Sequence, residues 1–558
     1  MFRTPPLLLA GSKGGYVPSD RQPPVAQVVL TRVESAVFVS GVASMGLEIV
    51  AGRQLAPTFG SSVFTWGSVI GVFLAALALG YWVAGRRAAE HASRSALGAV
   101  FVGAALYVAV LLVFAEPFLG YVQGLGLPAR FAPILPVAVL FGPPTALLGF
   151  VSPYGAELVD AESTGDASGR VYALGTAGSI LGAFATTFLL VPALGVLRIE
   201  LAYGLLLVVT ALVLAPRQSR QTGAAVLVGV ALAGAFALSG VGTPVGGETV
   251  YETDTAYQHL EVVDGGDTRT LYLDGVPHSA MYLDRPDRYV FEYTRYFHLS
   301  MLAVDDPEAV DRVLFVGGGG FSGPKRFLSE YDVTVDVVEI DPAVVDAAET
   351  YFGVRESDRL NVHIMDGREY LQKTDHTYDV VVLDAYRADR VPYHVTTVEF
   401  MDLVSSRLDA DGVVVANVIS AREGPQSQFY RSQYHTMDRA FPNVYSFPTS
   451  ESGVLQNIEL VASKNPRTLS QAEFRGRTRE RDIGIDLSDE IGNYRGSVRV
   501  DDAPLLRDDH APVDSLLASQ VDMQYVVERT DENGSVSAAG SVRPPPAGAS
   551  PPAAPAGP

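Results

Sequence analysis

Seven apolar stretches of about twenty residues crowd the first 245 positions: 33–52, 62–85, 96–115, 131–152, 171–193, 196–215 and 223–241. A bilayer core takes about 20 mostly apolar residues per helix, and a buried soluble helix rarely repeats that length seven times. The pattern predicts a multi-span α-helical membrane bundle over residues 33–245, behind an N-terminal tail, 1–32, with the lipid bilayer as its partner. The segments are rich in Gly, Ala and Ser, as in LGTAGSILGAFATTF from Leu174 to Phe188, and small residues let membrane helices approach closely. Pro136, Pro143 and Pro144 interrupt the fourth stretch, which allows a broken span or a re-entrant hairpin. Glu48 is either an intramembrane contact for an ion, proton or substrate, or an interfacial carboxylate paired with Arg53. Residues 1–32 show no signal-peptide core, so the first span is expected to act as its own membrane signal.

Charge divides the chain at the same place. The net charge is +3 before about residue 245 and −24 after it, which argues against a nucleic-acid partner in either half. Only Lys13, Lys325, Lys373 and Lys464 are lysine, and an acidic, lysine-poor surface suits concentrated salt, although GC-rich coding produces the same bias. The absence of cysteine excludes thiolate metal sites and thiol catalysis. No other spacing suggests a metal.

From Thr249 the pattern turns to short alternating runs, YQHLEVVD and TRTLYLDG around a Gly265-Gly266 turn, predicting a small β hairpin domain over 246–285. Residues 288–304 carry apolar and aromatic residues at helical spacing, which reads as core. Five buried strands then alternate with helical stretches: 313–317, 333–339, 361–366, 378–384 and 412–418. This predicts a doubly wound parallel sheet, Rossmann-like, over 286–525. The Pro/Ala-rich run from 526 to 558 reads as a disordered tail.

Ligands of such sheets sit outside the carboxyl ends of the strands. The first strand runs into Gly317-Gly318-Gly319-Gly320-Phe321-Ser322-Gly323, where Gly318, Gly320 and Gly323 satisfy G-x-G-x-x-G and permit close ligand approach. Glu339 ends the second strand, placed to accept two ribose hydroxyls. Asp366-Gly367 follows the third, near an adenine amino group, and Asp384 ends the fourth, near a reacting centre. Four ligand-facing ends fit an S-adenosyl nucleoside better than a nicotinamide cofactor.

The runs VLFVGGGGFSGPKRFL, VDVVEIDPAVVDAAETYF, MDGREYL and YDVVVLDAY, with Tyr257-Gln258 and LYLDGVPHS before them, resemble the spermidine synthase (polyamine aminopropyltransferase) family. SGVASMGLEIVAGRQLAPTFGSS and LLRDDHAPVDSLL resemble the opening and closing segments of its membrane-fused members. The resemblance implies transfer of an aminopropyl group from decarboxylated S-adenosylmethionine to a polyamine, with a homodimer left open. It implies donor contacts from the glycine loop, Glu339, Asp366, Gly367 and Gln258, acceptor contacts from Tyr257, Tyr386, Asp389 and His278, and Asp384 as the base or amine-orienting group. The chain departs from the family at Gly320, where the loop carries Asp, and at His278, where Gln is expected. Two other readings stay open: methyl transfer from S-adenosylmethionine, and a nucleoside- or polyamine-gated transporter or sensor. His298 and His394 are further titratable candidates, more often core or rim residues.

Loop Lys/Arg counts for a seven-span chain, 10 against 3, place the N-terminus inside and the acidic half outside. A cytosolic donor favours the acidic half inside, and a re-entrant fourth segment would reconcile the two.

Overall fold

The computed structural model describes residues 30–538, apart from 61, 129, 162, 217–218, 240–246, 356, 387–389, 451–453, 521–524, 527 and 531–535. Six helices are long and apolar enough to cross a membrane: Arg32–Phe59, Val63–Gly85, Arg94–Gln123, Thr164–Ala193, Val196–Leu214 and Arg220–Leu238. The fourth stretch of the sequence is different, a pair, Ile134–Leu140 and Gly142–Leu158, bent by 52°. Its break falls just before Pro143 and Pro144, which sit in the first turn after it, where a missing N–H and a fixed φ are tolerated.

The glycine-rich fifth stretch packs on the first helix at backbone contact. A Cβ on Gly178 would lie 2.1 Å from Phe38 O, and one on Gly182 would lie 2.3 Å from Val42 O. Small residues therefore serve close packing here, as their density in the sequence implies. The outer faces carry Leu74, Phe114, Phe184, Phe188 and Leu227, each more than half exposed. Such a surface is compatible with a hydrocarbon surround and unfavourable in water. Arg53 reaches away from Glu48, to the carbonyl of Thr255 at 2.6 Å.

The acidic half begins with a four-stranded antiparallel sheet, β1 (Glu248–Asp254), β2 (His259–Gly265), β3 (Thr268–Leu273) and β4 (Val276–Tyr282). Leu260, Val262, Leu271 and Leu273 of this sheet pack with Val344, Ala347 and Phe352, of which the first two lie on helix Pro342–Tyr351. The aromatic run after it forms a 3-10 turn, Glu292–His298, and a short helix, Leu299–Ala303, both buried. Seven strands follow: β5 (Arg312–Val316), β6 (Thr334–Glu339), β7 (Leu360–Ile364), β8 (Tyr378–Leu383), β9 (Leu408–Ser420), β10 (Asn443–Pro448) and β11 (Gln456–Ser463). Their order is β10-β11-β9-β8-β5-β6-β7, with β5 to β9 parallel and β11 antiparallel to both neighbours. The order reverses between β5 and β8, so the ligand crevice of a doubly wound sheet opens there.

Most of the Pro/Ala-rich tail lies outside the described residues. Its described pieces, β12 (Glu528–Thr530) and β13 (Val536–Ala538), pair as an antiparallel ribbon. Phe291 forms a bridge to Arg529 and Leu455 forms one to Tyr525, so the start of this segment is tied to the sheet domain.

Candidate active site

A cavity of about 290 Å³ opens at the β5/β8 switch point. The two strands meet at Gly317 and Asp384, where the Asp384 amide donates to Val316 O at 2.9 Å. Gly317 has φ +98°, and a Cβ there would stand 2.5 Å from Asp384 O, so only glycine lets β5 turn aside so close to β8.

Of the residues expected to serve a ligand, Tyr257, Gln258, His278, Gly317, Gly319, Glu339, Asp366, Gly367, Asp384 and Tyr386 line this cavity. Three glycines of the loop do not. Gly318 donates its amide to Glu339 Oε2 at 2.9 Å. Gly320 donates to Ser279 Oγ at 2.9 Å and would push a Cβ to 2.9 Å from Ser279 Cβ and 3.1 Å from Phe352. Gly323 packs against Phe315 and Phe297. Gly320 and Gly323 are therefore packing glycines, a role that the G-x-G-x-x-G spacing does not distinguish from ligand contact. Tyr386 lines the cavity while its hydroxyl donates to Val395 O at 2.7 Å. Asp389 lies outside the described residues.

The acids at the strand ends have distinct surroundings. Glu339 is buried and its second oxygen accepts the Asp341 amide at 3.0 Å. Burial raises its pKa, against the opposing pull of these amides. Asp366 caps the helix Gly367–Lys373 by accepting from the Glu369 amide, and its other oxygen is 2.8 Å from His394 Nε2. Burial works against its charge, but these two partners hold its pKa below the ordinary carboxylate value. Asp384 is half-buried in the cavity wall, and desolvation pushes its pKa up to about 7, the Asn417 hydrogen bond opposing and the Glu339 charge assisting.

Residues that the sequence did not single out complete the Asp384 side of the cavity. Asn417 Nδ2 donates to Asp384 Oδ1 at 2.8 Å, Asn457 Nδ2 donates to Asn417 Oδ1 at 2.8 Å, and the Tyr525 hydroxyl donates to Asn457 Oδ1 at 2.9 Å. Tyr293 stands within hydrogen-bonding reach of Asp384. Beneath this relay Glu459 faces Asn417 across the β9–β11 ladder, fully buried, with neither oxygen hydrogen-bonded among the described residues. Burial and the charge of Asp384 drive its pKa well above the carboxylate range, so Glu459 is neutral and Asp384 remains the ionisable group. Asn417 and Asn457 sit on hydrophobic strands whose pattern signals only burial. Tyr525 is 141 residues from Asp384 and carries no local motif.

His298 donates or accepts between Tyr289 (2.8 Å) and Tyr331 (2.6 Å) and stacks on Phe327. Burial drops its pKa to about 3, so it is a neutral core histidine. One carboxylate–histidine group, Glu252, His259 and Glu261, brings its ligand atoms within 4.8 Å. Burial opposes the imidazolium of His259, but its bonds to Asp254 and Glu261 hold its pKa up at about 10, as an ion-pair cluster does.

Residues 291–452 match the family described as Spermine/spermidine synthase domain. Among curated proteins, the chain is 30% identical over 233 residues to the polyamine aminopropyltransferase of Vibrio vulnificus, covering 40% of this chain and 75% of that one. It is 27% identical over 288 residues to a probable polyamine aminopropyl transferase of Bifidobacterium longum, covering 49% and 63%. A solved structure of a probable spermidine synthase from Corynebacterium glutamicum is similar at 22% identity and a TM-score of 0.38, covering 48% of this chain and 99% of that one.

Proposed function

On the premise that this chain belongs to the spermine/spermidine synthase family and is a transferase of that type, we propose that it moves the aminopropyl group of decarboxylated S-adenosylmethionine to a polyamine at the β5/β8 cavity. The observation that carries this reading is Asp384, a carboxylate at the switch point with a pKa near 7, oriented by an amide relay. A general base works best when its pKa lies near the operating pH.

In the reaction the lone pair of a neutral amine nitrogen attacks the aminopropyl carbon bonded to sulfur. The carbon–sulfur bond breaks, its electron pair stays on sulfur, and methylthioadenosine leaves as a neutral thioether that needs no acid. The new ammonium gives its proton to the Asp384 carboxylate, which later releases it to water. What the protein must supply is alignment and a proton acceptor. Glu339 and Gln258 suit the ribose side, and Ile340, Met365 and Asp366 wall the adenine side. Tyr257, Tyr293 and the neighbouring carboxylates present aromatic and anionic faces to a polycation. Gly320 has no carboxylate to hold the aminopropyl ammonium, so that contact falls to the Asp384 side of the cavity. His278 keeps its place at the wall as the counterpart of the expected Gln.

The six apolar helices anchor the enzyme in a bilayer, and the catalytic half meets the first helix at Arg53 and the second at Val63, the ends remote from Arg32. A cytoplasmic catalytic half therefore puts Arg32 on the opposite face, with the bent pair crossing between the two. The test is turnover by the full chain in lipid nanodiscs, with decarboxylated S-adenosylmethionine as donor and putrescine or spermidine as acceptor. Methylthioadenosine release that requires the amine and disappears in Asp384→Asn is the expected result. Release of S-adenosylhomocysteine from intact S-adenosylmethionine instead would move the assignment to methyl transfer.

A further inference from the structure

The turn between β1 and β2, residues 254–258, is held from both sides. On the membrane side, Arg53 of the first helix donates from Nη2 to Thr255 O at 2.6 Å, across 202 residues of sequence. Next to it, Asp254 Oδ2 accepts the amide of Val196 at 3.2 Å, at the first residue of the membrane helix Val196–Leu214. That helix has no side-chain cap of its own. A carboxylate at a helix N-terminus satisfies an orphan amide and meets the positive end of the helix dipole. The other Asp254 oxygen is 2.8 Å from His259 Nδ1.

On the catalytic side the same turn enters the donor cavity. Thr255 is buried; its hydroxyl donates to Asp341 Oδ2 at 2.6 Å and accepts the amides of Tyr257 and Gln258 at 3.0 Å each. Gln258 Nε2 reaches the same Asp341 oxygen at 3.3 Å. The Asp341 amide donates to Glu339 Oε1, whose other oxygen takes the Gly318 amide. An unbroken hydrogen-bonded path thus runs from Arg53, through Thr255, Asp341 and Glu339, to the glycine loop, and Tyr257 and Gln258 line the cavity along it.

We propose that Arg53 is a positioning residue for the donor nucleoside: the membrane half shapes the nucleoside side of the cavity through the 254–258 turn, and aminopropyl transfer depends on that half for donor affinity. This rests on the functional reading above, and it gives the helices a part in the reaction beyond anchoring. Tyr257 on the same turn also faces the acceptor, whereas Asp384 and its relay of Asn417, Asn457 and Tyr525 are held by β8, β9 and β11, so the effect falls first on the donor. Loss of this charge-assisted hydrogen bond frees the turn that presents Gln258. About a tenfold loss of nucleoside affinity follows, equivalent to 1.4 kcal/mol.

The experiment is calorimetric binding of methylthioadenosine to the full chain in nanodiscs, for the wild type, Arg53→Met, Arg53→Lys, Asp254→Asn and the control Arg32→Met. Arg32 starts the same helix, about 30 Å along its axis from Arg53, and donates to Val213 O. Acceptor KM and the unfolding midpoint are measured alongside. The expected result is a methylthioadenosine Kd raised about tenfold in Arg53→Met and by less in Asp254→Asn, largely restored in Arg53→Lys and unmoved in Arg32→Met. The acceptor KM moves by less than the methylthioadenosine Kd, and the unfolding midpoint is unmoved. An unchanged Kd in Arg53→Met, when the wild type binds, overturns the inference alone. So does a parallel loss of donor affinity, acceptor KM and unfolding midpoint in both Arg53 variants, which would mark a structural residue. A folded wild type that binds no nucleoside overturns the functional reading and the inference with it.

Discussion

Replacing Asp384 by Asn should abolish transfer and make the catalytic sheet more stable, with a definite pH dependence. Desolvation raises the Asp384 pKa from 3.8 to about 7, and one pKa unit is 1.36 kcal/mol, so ionising this group in the folded chain is unfavourable by about 4 kcal/mol. The cavity admits water and Asp384 retains some exposure, so roughly half of that, about 2 kcal/mol, is the figure to expect after screening. The sign follows from proton binding: the folded state holds this proton more tightly than the unfolded chain. The contribution therefore favours folding below about pH 4 and is lost as pH climbs to about 7, after which it is flat. Asn is nearly isosteric, still accepts from Asn417 and never ionises, so its advantage should be about 2 kcal/mol at pH 8 and well under 1 kcal/mol at pH 4.5. Both tryptophans, Trp66 and Trp82, lie on the helix Val63–Gly85, so fluorescence would report the wrong half. Amide exchange at β8 and β9, compared between the two proteins at each pH, reads the catalytic sheet directly. Turnover should fall by about 10²–10⁴, the usual worth of a general base. A gain in protection that is equal at both pH values, or absent at pH 8, would refute the buried-carboxylate argument.

Four further outcomes are expected. In the wild type, kcat/KM should rise with pH through about 7 as Asp384 ionises, and Tyr525→Phe, which frees Asn457 and loosens the Asn417 bond that lowers the Asp384 pKa, should move that limb to higher pH with donor KM unchanged. Gly320→Asp, which reinstates the carboxylate of the family loop, should lower the unfolding midpoint and add no activity. Its Cβ meets Ser279 and Phe352, and overpacking of this kind costs about 1–3 kcal/mol. His298→Phe should destabilise the catalytic half by about 1–3 kcal/mol by stripping the Tyr289 and Tyr331 hydroxyls of a partner, with the pH profile of turnover unmoved. Glu459→Gln should retain turnover within a few-fold, since a neutral amide replaces a neutral carboxyl, whereas a large loss would show that Glu459 carries charge during the reaction.

Much of this protein is local, and local features are legible in a sequence. Helix length against bilayer thickness announced the six long apolar helices, and strand ends followed by glycine or acid located Gly317, Glu339, Asp366 and Asp384, because in a parallel sheet those positions necessarily face one crevice. Periodicity also separated the membrane half from the sheet half at the point where the charge changes. What it could not decide was how each residue is used. Gly320 and Gly323 belong to the same glycine loop as Gly317, yet Ser279, Phe352, Phe297 and Phe315 claim them for packing; Tyr386 points its hydroxyl at Val395 O, and His298 disappears into a tyrosine cage. Asn417, Asn457 and Tyr525 become a relay only because β9 and β11 pair in one register and the segment after residue 520 returns to Leu455. Arg53 meets Thr255 only when two halves 202 residues apart are brought together. The chain sets which groups lie at strand ends and helix faces because repeat and length are local properties. Which of them touch is settled by non-local pairing, and the side chains that orient the chemistry lie on that side of the division.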